Sequence, residues 1–255
     1  MAEWSKAKGY AEIFVAEFAT AEKVKDMNLL VGRSLGKMPG SEAKAKEVFN
    51  KIIEDAGDDF NAAVEAAVSL AELQCRLGEK DEARDTIGVV ATKYSKVRGL
   101  KEHLEGKLAG FEMIGSEPKP IEVTGFDGKP ISLEKLKGKV VLIDFWATWC
   151  GPCVAELPNV IATYKKYHDQ GFEVVGISLD DNEGKLKDFL AKHDMPWPQF
   201  FDGNGWKNEI GVLYGVNSIP ATYLLGPDGK IARVGARGPE LPAAVAELLA
   251  KKNGK

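Results

Sequence analysis

The sequence has few of the residues that hold metal ions or build disulfide frameworks. Its 255 residues include only three cysteines and three histidines. Three cysteines cannot form the disulfide scaffold of a small secreted protein, and Cys75 is far in sequence from the pair at Cys150 and Cys153. Structural zinc sites usually need four ligands, yet no second C-x-x-C and no histidine at ligand spacing accompanies this pair. We therefore predict no metal site.

Long apolar runs and an excess of positive charge are also lacking. No stretch reaches the roughly 18 apolar residues of a membrane-spanning helix. The formal net charge is −4 and neither half of the chain is basic, so nucleic-acid binding is not expected. The polar segment Met1–Lys6 is not followed by the apolar region of a signal peptide. A cytoplasmic protein and a processed, exported chain both fit this amino terminus.

The first part of the chain, residues 1–112, has helical periodicity. Apolar residues recur there at three- and four-residue steps, first at Tyr10, Ile13, Phe14, Phe18, Ala21 and Val24. Further stripes predict a helix capped by Ser41, a helix capped by Asp58 or Asp59, and a fourth helix. The stripes of the last two helices are Phe60, Val64, Ala67, Val68, Ala71 and Cys75, and then Ala83, Ile87, Val90, Ala91 and Tyr94. This last pair resembles one tetratricopeptide unit in length and pattern, so we predict an all-α domain of helical hairpins.

The pattern changes after residues 113–120, where a glycine and two prolines predict a linker. In residues 121–255, short apolar runs alternate with helical stretches, which predicts an α/β domain with a mainly parallel sheet. The unbroken run Val140–Trp146 is typical of a central strand buried on both faces. Asp127-Gly128 and Asp228-Gly229 each predict a hairpin.

The chemistry is carried by the motif Cys150-Gly151-Pro152-Cys153, which follows this buried strand and opens a predicted helix. Free backbone N–H groups and the helix dipole at such an N-terminus stabilise a thiolate, so we predict that Cys150 is the nucleophile. Cys153 lies one turn later on the same face, and we expect it to be the more buried of the two. It can attack a mixed disulfide at Cys150 and release the reduced substrate. Pro152 sits in the first turn, where a missing N–H costs little.

At this point the sequence resembles a known family. The segment Asp144–Cys153 resembles the active-site segment of thioredoxins, and Ser218–Thr222 resembles their second signature. The lead-in segment Gly128–Lys139 and the position of Glu156 are similar to the extracytoplasmic TlpA/ResA branch. The resemblance covers the last 135 residues or so and leaves the helical part outside. It implies a thioredoxin-like fold, with a central mixed sheet flanked by helices and an amino-terminal β-hairpin.

The resemblance also implies roles for individual residues. Pro220 matches the family's cis-proline, which would place the Ile219 backbone where an extended substrate can hydrogen-bond. Asp144 lies within an apolar strand, so burial should raise its pKa, and it matches the buried acid that takes a proton from the second cysteine. Glu156 matches a buried glutamate that tunes the cysteines. Whether Asp144 or Glu156 is the main proton acceptor stays open, and the titrations of two close acids would be coupled.

The tryptophans and the third cysteine receive different predictions. Trp149 is predicted to cover Cys150 and to form part of a substrate surface, whereas Trp146 fits either this site or the core. Trp197 and Trp206 carry no motif and are expected to serve in packing. Cys75 lies on the apolar stripe of a helix and is predicted to be a core residue.

These observations favour a protein-disulfide reductase that uses the cysteine pair and no other cofactor. Gly-Pro between the cysteines and Ile219 before the proline are similar to reducing thioredoxins, although a disulfide oxidase or isomerase is the alternative. A thiol peroxidase would need a hydroxyl residue three positions before its cysteine, where this chain has Ala147. In a further alternative, the helical part is a partner-binding scaffold and the redox part is accessory.

The resemblance implies partners and a location as well. The expected partners are a protein disulfide substrate and an upstream thiol electron donor. The helical domain is expected to bind a protein partner or to mediate dimerisation. By resemblance the protein is extracytoplasmic, periplasmic or membrane-anchored, and cytoplasmic is the alternative.

Overall fold

The computed structural model describes Lys6, Gly9 and residues 24–253. The chain divides into two compact units, Met1–Glu112 and Met113–Lys255. The apolar pattern predicted as a first helix between Tyr10 and Ala21 lies outside the described residues. Within the described part, no helix is long and apolar enough to cross a membrane.

The first unit is built around one central helix. Its five described helices are α1 Val24–Leu35, α2 Glu42–Asp55, α3 Phe60–Leu77, α4 Lys80–Lys93 and α5 Leu100–Glu112. Helix α3 contacts each of the other four. Its fully buried positions include Ala63, Ala66, Ala67 and Leu70, whose small or compact side chains let the neighbouring helices approach closely.

Two of the predictions for this unit need correction. The stripe predicted for α3 is partly wrong, because Phe60 is exposed and Val64 and Val68 are only half-buried. Because other helices pack against α3 on several sides, its alanine-rich face is buried and the face with the bulkier side chains is not. Ser41 directly precedes α2, but its side chain makes no capping hydrogen bond. Asp59 does cap α3, since its carboxylate accepts a hydrogen bond from the Ala62 N–H at 3.2 Å.

The second unit contains a five-stranded sheet with the order β5-β4-β3-β6-β7. The described strands of this unit, including β1 and β2 of the separate lead-in hairpin, are β1 Glu122–Thr124, β2 Pro130–Ser132, β3 Val140–Trp146, β4 Phe172–Ser178, β5 Gln199–Phe200, β6 Ala221–Leu225 and β7 Ile231–Val234. Strand β3 is parallel to β4, and β4 to β5, whereas β6 and β7 run antiparallel to their neighbours. The hairpin predicted at Asp228-Gly229 is the β6–β7 pair at one edge of the sheet, where it adds two antiparallel pairs to the two parallel ones. The mixed, thioredoxin-like sheet flanked by helices is confirmed.

Strand β3 is buried along its whole length and separates two apolar cores. Its alternate residues point to opposite faces, so that Ile143 lies in one core and Leu142 in the other. The first core is also lined by α7 Glu183–Lys192 and α8 Glu209–Leu213. The second is covered by α6 Gly151–Tyr167 and α9 Glu240–Asn253. The sheet is thus covered on both faces, which makes the interior around β3 dry.

Two segments at the start of this unit attach to the edges of the sheet. The β1–β2 hairpin is held to β5 by a hydrogen bond from the Phe126 N–H to the Gln199 carbonyl. Residues 113–120, predicted as a linker, lie partly along β7. The Gly115 N–H donates to the Ile231 carbonyl, and the Ile231 N–H donates to the Ser116 carbonyl.

Candidate active site

The two cysteines lie where the central strand passes into helix α6. Cys150 is the N-cap of α6, and it forms a disulfide with Cys153, with the two Cα atoms 5.2 Å apart. The Cys153 N–H donates a hydrogen bond to the Cys150 Sγ at 3.2 Å. This is the arrangement that the motif predicts, because the free N–H groups of the first helical turn point at the sulfur of Cys150.

The burial of the two cysteines differs from the prediction. Cys150 is 5% exposed and Cys153 is 6% exposed, so the two are equally buried and the expected difference between them is not seen. The N-cap geometry accounts for the burial of Cys150, because it turns the Cys150 side chain back over the first turn of the helix. Gly151 and Pro152, which separate the cysteines, are exposed.

The segment before β6 packs against the core in which the cysteines lie. The Ile219–Pro220 peptide bond is cis, as the resemblance implied. Ile219 packs against the apolar cluster that contains both cysteines. Directly after Pro220, β6 begins at Ala221, which pairs with Phe145 near the end of β3. The sheet pairing therefore fixes where this loop meets the site.

Asp144 lies in the middle of β3, paired in register with Gly176 on one side and Thr222 on the other. It is only 9% exposed. Burial, and to a smaller extent the negative charge of Glu156, together raise the pKa of Asp144 to about 7. A carboxyl group with this pKa can hold or accept a proton near neutral pH.

Glu156 is half-buried on α6, and one oxygen of its carboxylate already has two donors. Its Oε1 accepts hydrogen bonds from the Gly238 N–H at 2.7 Å and from Asn159 Nδ2 at 2.6 Å. The Asn159 amide also donates to the Gly238 carbonyl. Glu156 thus ties α6 to the loop between β7 and α9. Its effect on the pKa of Asp144 agrees with the predicted coupling of the two acids.

The four tryptophans that the structure describes separate into a buried pair and an exposed pair. Trp197 is buried as predicted, and Trp146 proves to be a core residue whose Nε1 donates to Gln199 Oε1. Trp149 is 52% exposed beside Cys150. The prediction that Trp206 serves in packing is wrong, because this side chain is 49% exposed and its ring lies against that of Trp149.

Sequence reasoning missed the residue that holds the loop before Cys150. Asp180 is almost fully buried just after β4, and its carboxylate accepts hydrogen bonds from the backbone N–H and the hydroxyl of Thr148. It also accepts one from the Ser178 hydroxyl at 2.8 Å. Two consecutive aspartates after a predicted strand gave no signal, because nothing local indicates that one of them points inward.

Comparisons with known proteins agree on this half of the chain. A sequence profile of the AhpC/TSA family matches residues 114–234. The thiol-disulfide oxidoreductase ResA of Bacillus thuringiensis subsp. konkukian is 37% identical over 118 residues, which are 46% of this chain and 66% of that protein. ResA of Bacillus subtilis is 33% identical over 129 residues, which are 50% of this chain and 70% of that protein. The chain thus covers just under two thirds of the length of the Bacillus thuringiensis protein.

A solved structure gives the same result for the fold. It is the C-terminal domain of a candidate thiol-disulfide oxidoreductase from Bacteroides thetaiotaomicron, and it superposes with a TM-score of 0.51 and 29% identity. The superposition covers 54% of this chain and 97% of that domain.

Replacing Asp144 tests whether its burial makes stability depend on pH. Between about pH 4 and pH 7 the folded protein keeps the Asp144 proton that the unfolded chain has lost, so the stability of the oxidised protein falls as pH rises. A pKa raised from about 4 to about 7 corresponds to at most about 4 kcal/mol. The Asp144→Asn variant should not show this fall. Its free energy of unfolding, relative to that of the wild type, should therefore increase from pH 4 to pH 8, as measured by urea unfolding of the oxidised proteins.

The matched control is Glu156→Gln, which removes one negative charge and leaves Asp144 in place. Because Glu156 raises the pKa of Asp144 in the folded protein, this variant should keep the fall in stability but end it at a lower pH. An Asp144→Asn variant with the same pH profile as the wild type would show that Asp144 is not the buried titrating group.

Proposed function

Because this chain belongs to the family of thiol-disulfide oxidoreductases that includes ResA, we propose that it is a protein-disulfide reductase with Cys150 and Cys153 as its dithiol. The observation that carries the proposal is the position of Cys150 at the N-terminus of α6, with its Sγ accepting the Cys153 N–H. That position favours a thiolate in the reduced protein, and a thiolate is what attacks a disulfide.

In the first step, the Cys150 thiolate attacks one sulfur of the substrate disulfide. A bond forms between this sulfur and Cys150 Sγ, and the substrate's S–S bond breaks. The other substrate sulfur leaves as a thiolate and takes a proton from water. The result is a mixed disulfide between Cys150 and the substrate.

In the second step, Cys153 resolves the mixed disulfide. Its thiol transfers a proton to Asp144, whose pKa near 7 suits a base at neutral pH. The Cys153 thiolate then attacks Cys150 Sγ, forming the intramolecular disulfide and releasing the second substrate thiolate. Two electrons have passed to the substrate, and a thiol donor must return two electrons to the cysteine pair. We assign the proton to Asp144 instead of Glu156, because Glu156 Oε1 already accepts two hydrogen bonds.

The direction of electron flow is inferred from the residues around the cysteines. Gly151-Pro152 and Ile219 are similar to the reducing members of the fold, which favours reduction over oxidation or isomerisation. A thiol peroxidase is disfavoured, because position 147 is a buried alanine and the hydroxyl of Thr148 is engaged by Asp180.

Partners and location extend the same proposal. The substrates are proteins with accessible disulfides, the donor is an upstream dithiol, and both meet the protein outside the cytoplasm. The helical unit recruits a particular partner, since helical hairpins commonly present peptide-binding surfaces.

The order of attack is tested by replacing each cysteine separately. The reduced Cys153→Ser variant should form a stable mixed disulfide with a model protein disulfide such as insulin, because the resolving thiol is missing. The Cys150→Ser variant, which keeps one thiol of the same motif, should form little adduct. Non-reducing electrophoresis and mass spectrometry measure both. Equal adduct formation by the two variants would contradict the assignment of Cys150 as nucleophile.

The direction is tested by the reduction potential of the cysteine pair, equilibrated with glutathione or dithiothreitol buffers. Thioredoxin-like proteins extend from about −270 mV for a reductant to about −120 mV for a strong oxidant. We expect a value in the lower half of this range. A value close to the upper limit would replace the reductase proposal with that of a disulfide oxidase or isomerase.

Partners and location are tested by trapping in the native cells. Cys153→Ser, expressed from its native gene, should capture extracytoplasmic proteins through mixed disulfides that dithiothreitol releases. The same variant lacking residues 1–112 should capture fewer of its main partners while forming the insulin adduct equally well. Trapping only of cytoplasmic proteins would contradict the location, and an unchanged set of partners would contradict recruitment by the helical unit.

A further inference from the structure

The exposed apolar side chains of the second unit are concentrated on two segments. Among the described residues of this unit, the exposed large hydrophobic side chains are those of Trp149, Trp206, Val212 and Leu213. Trp149 directly precedes Cys150, and the other three lie within residues 205–213, shortly before the cis-proline loop. Large exposed apolar groups are common at sites that bind other molecules.

The two tryptophans contact each other across these segments. Their ring centroids are 5.9 Å apart and the ring planes are inclined by 54°. Each side chain nevertheless keeps about half of its surface exposed. The pair therefore presents an exposed aromatic surface, one member of which directly precedes Cys150 in the chain.

The segment that carries Trp206 is fixed by buried polar contacts. Asn208 is fully buried, and its Oδ1 accepts hydrogen bonds from the N–H groups of Ile210 and Gly211. Its Nδ2 donates to the Ser178 carbonyl at the end of β4. The position of Trp206 is thus set by the interior of the protein and not only by its contact with Trp149.

The same strand end also fixes the segment that carries Trp149. The Ser178 hydroxyl donates to Asp180, and Asp180 accepts from the backbone N–H of Thr148, the residue before Trp149. Both tryptophans are therefore attached to one buried polar network after β4. Burying such a network is costly unless each polar group has a hydrogen-bond partner. When every group has one, the network holds the attached loops in one arrangement.

We propose that Trp206 is a substrate-binding residue, which together with Trp149 binds an apolar side chain next to the disulfide of a substrate polypeptide. The inference rests on the proposed function and adds the substrate class. A substrate in mixed disulfide with Cys150 lies against Trp149, so the residues flanking its cysteine reach the aromatic pair. Folded proteins bury most apolar side chains next to disulfides, so the favoured substrates are disulfides in unfolded or partly folded polypeptides.

The test compares two synthetic peptides, each closed by one disulfide and identical except for Phe or Ser beside a cysteine. The wild type should reduce the Phe peptide faster. In Trp206→Ala the second-order rate constant for the Phe peptide should fall about threefold to tenfold, the range expected for one aromatic contact. The rate for the Ser peptide should fall less, so that the preference for the Phe peptide shrinks. Trp206→Phe, which keeps an aromatic ring, should retain most of the preference.

The other possible results of this comparison each contradict either the role of Trp206 or the proposed function. An equal fall for both peptides, or a changed reduction potential of the cysteine pair in Trp206→Ala, would show that Trp206 supports the active-site loop and does not bind substrate. Unchanged rates for both peptides would also overturn the inference. A wild type that reduces both peptides equally well would overturn it with the reductase function intact. A wild type that reduces neither peptide would contradict the proposed function itself.

Discussion

The burial of strand β3 on both faces is the constraint on which the rest of the second unit depends. Apolar side chains of the strand point alternately into two cores, one on each face of the sheet. Both faces must therefore be covered by helices. Asp144 acquires its raised pKa because it lies within this dry layer. Cys150 acquires its position because the strand ends at Trp146 and helix α6 begins within a few residues. One buried strand therefore determines both the acid and the nucleophile.

The parts of the site that were predictable from the sequence are those encoded by local patterns. The apolar run of β3 and the C-x-x-C after it predict a strand, a turn and a helix N-terminus, and the structure contains all three in this order. The β6–β7 hairpin was predictable from Asp228-Gly229, whereas the pairing of β6 with β3 and the cis bond before Pro220 followed only from resemblance, since neither leaves a signature in periodicity. Local sequence patterns thus predicted the chemical motif, and the resemblance to thioredoxins supplied the pairing of distant segments.

The features that were missed depend on contacts between residues far apart in sequence. Trp206 and Trp149 are separated by more than fifty residues, and nothing near Trp206 indicates that its ring will lie against that of Trp149. Asp180 is polar among polar neighbours, so its burial is decided by Thr148 on another loop. In the helical unit, periodicity located α3, but the choice of its buried face depended on four neighbouring helices.

The proposed function places three physically conflicting requirements on the site. A proton acceptor with a pKa near 7 needs a dry environment, a thiolate needs N–H donors and access to another sulfur, and substrate capture needs apolar surface in contact with water. Asp144 and Cys150 are both buried, in strand β3 and at the start of α6, whereas Trp149 and Trp206 are exposed on two loops. The network of Ser178 and Asp180 attaches the loop that carries Trp149 to the end of β4, so this exposed side chain has a fixed base while the acid stays buried.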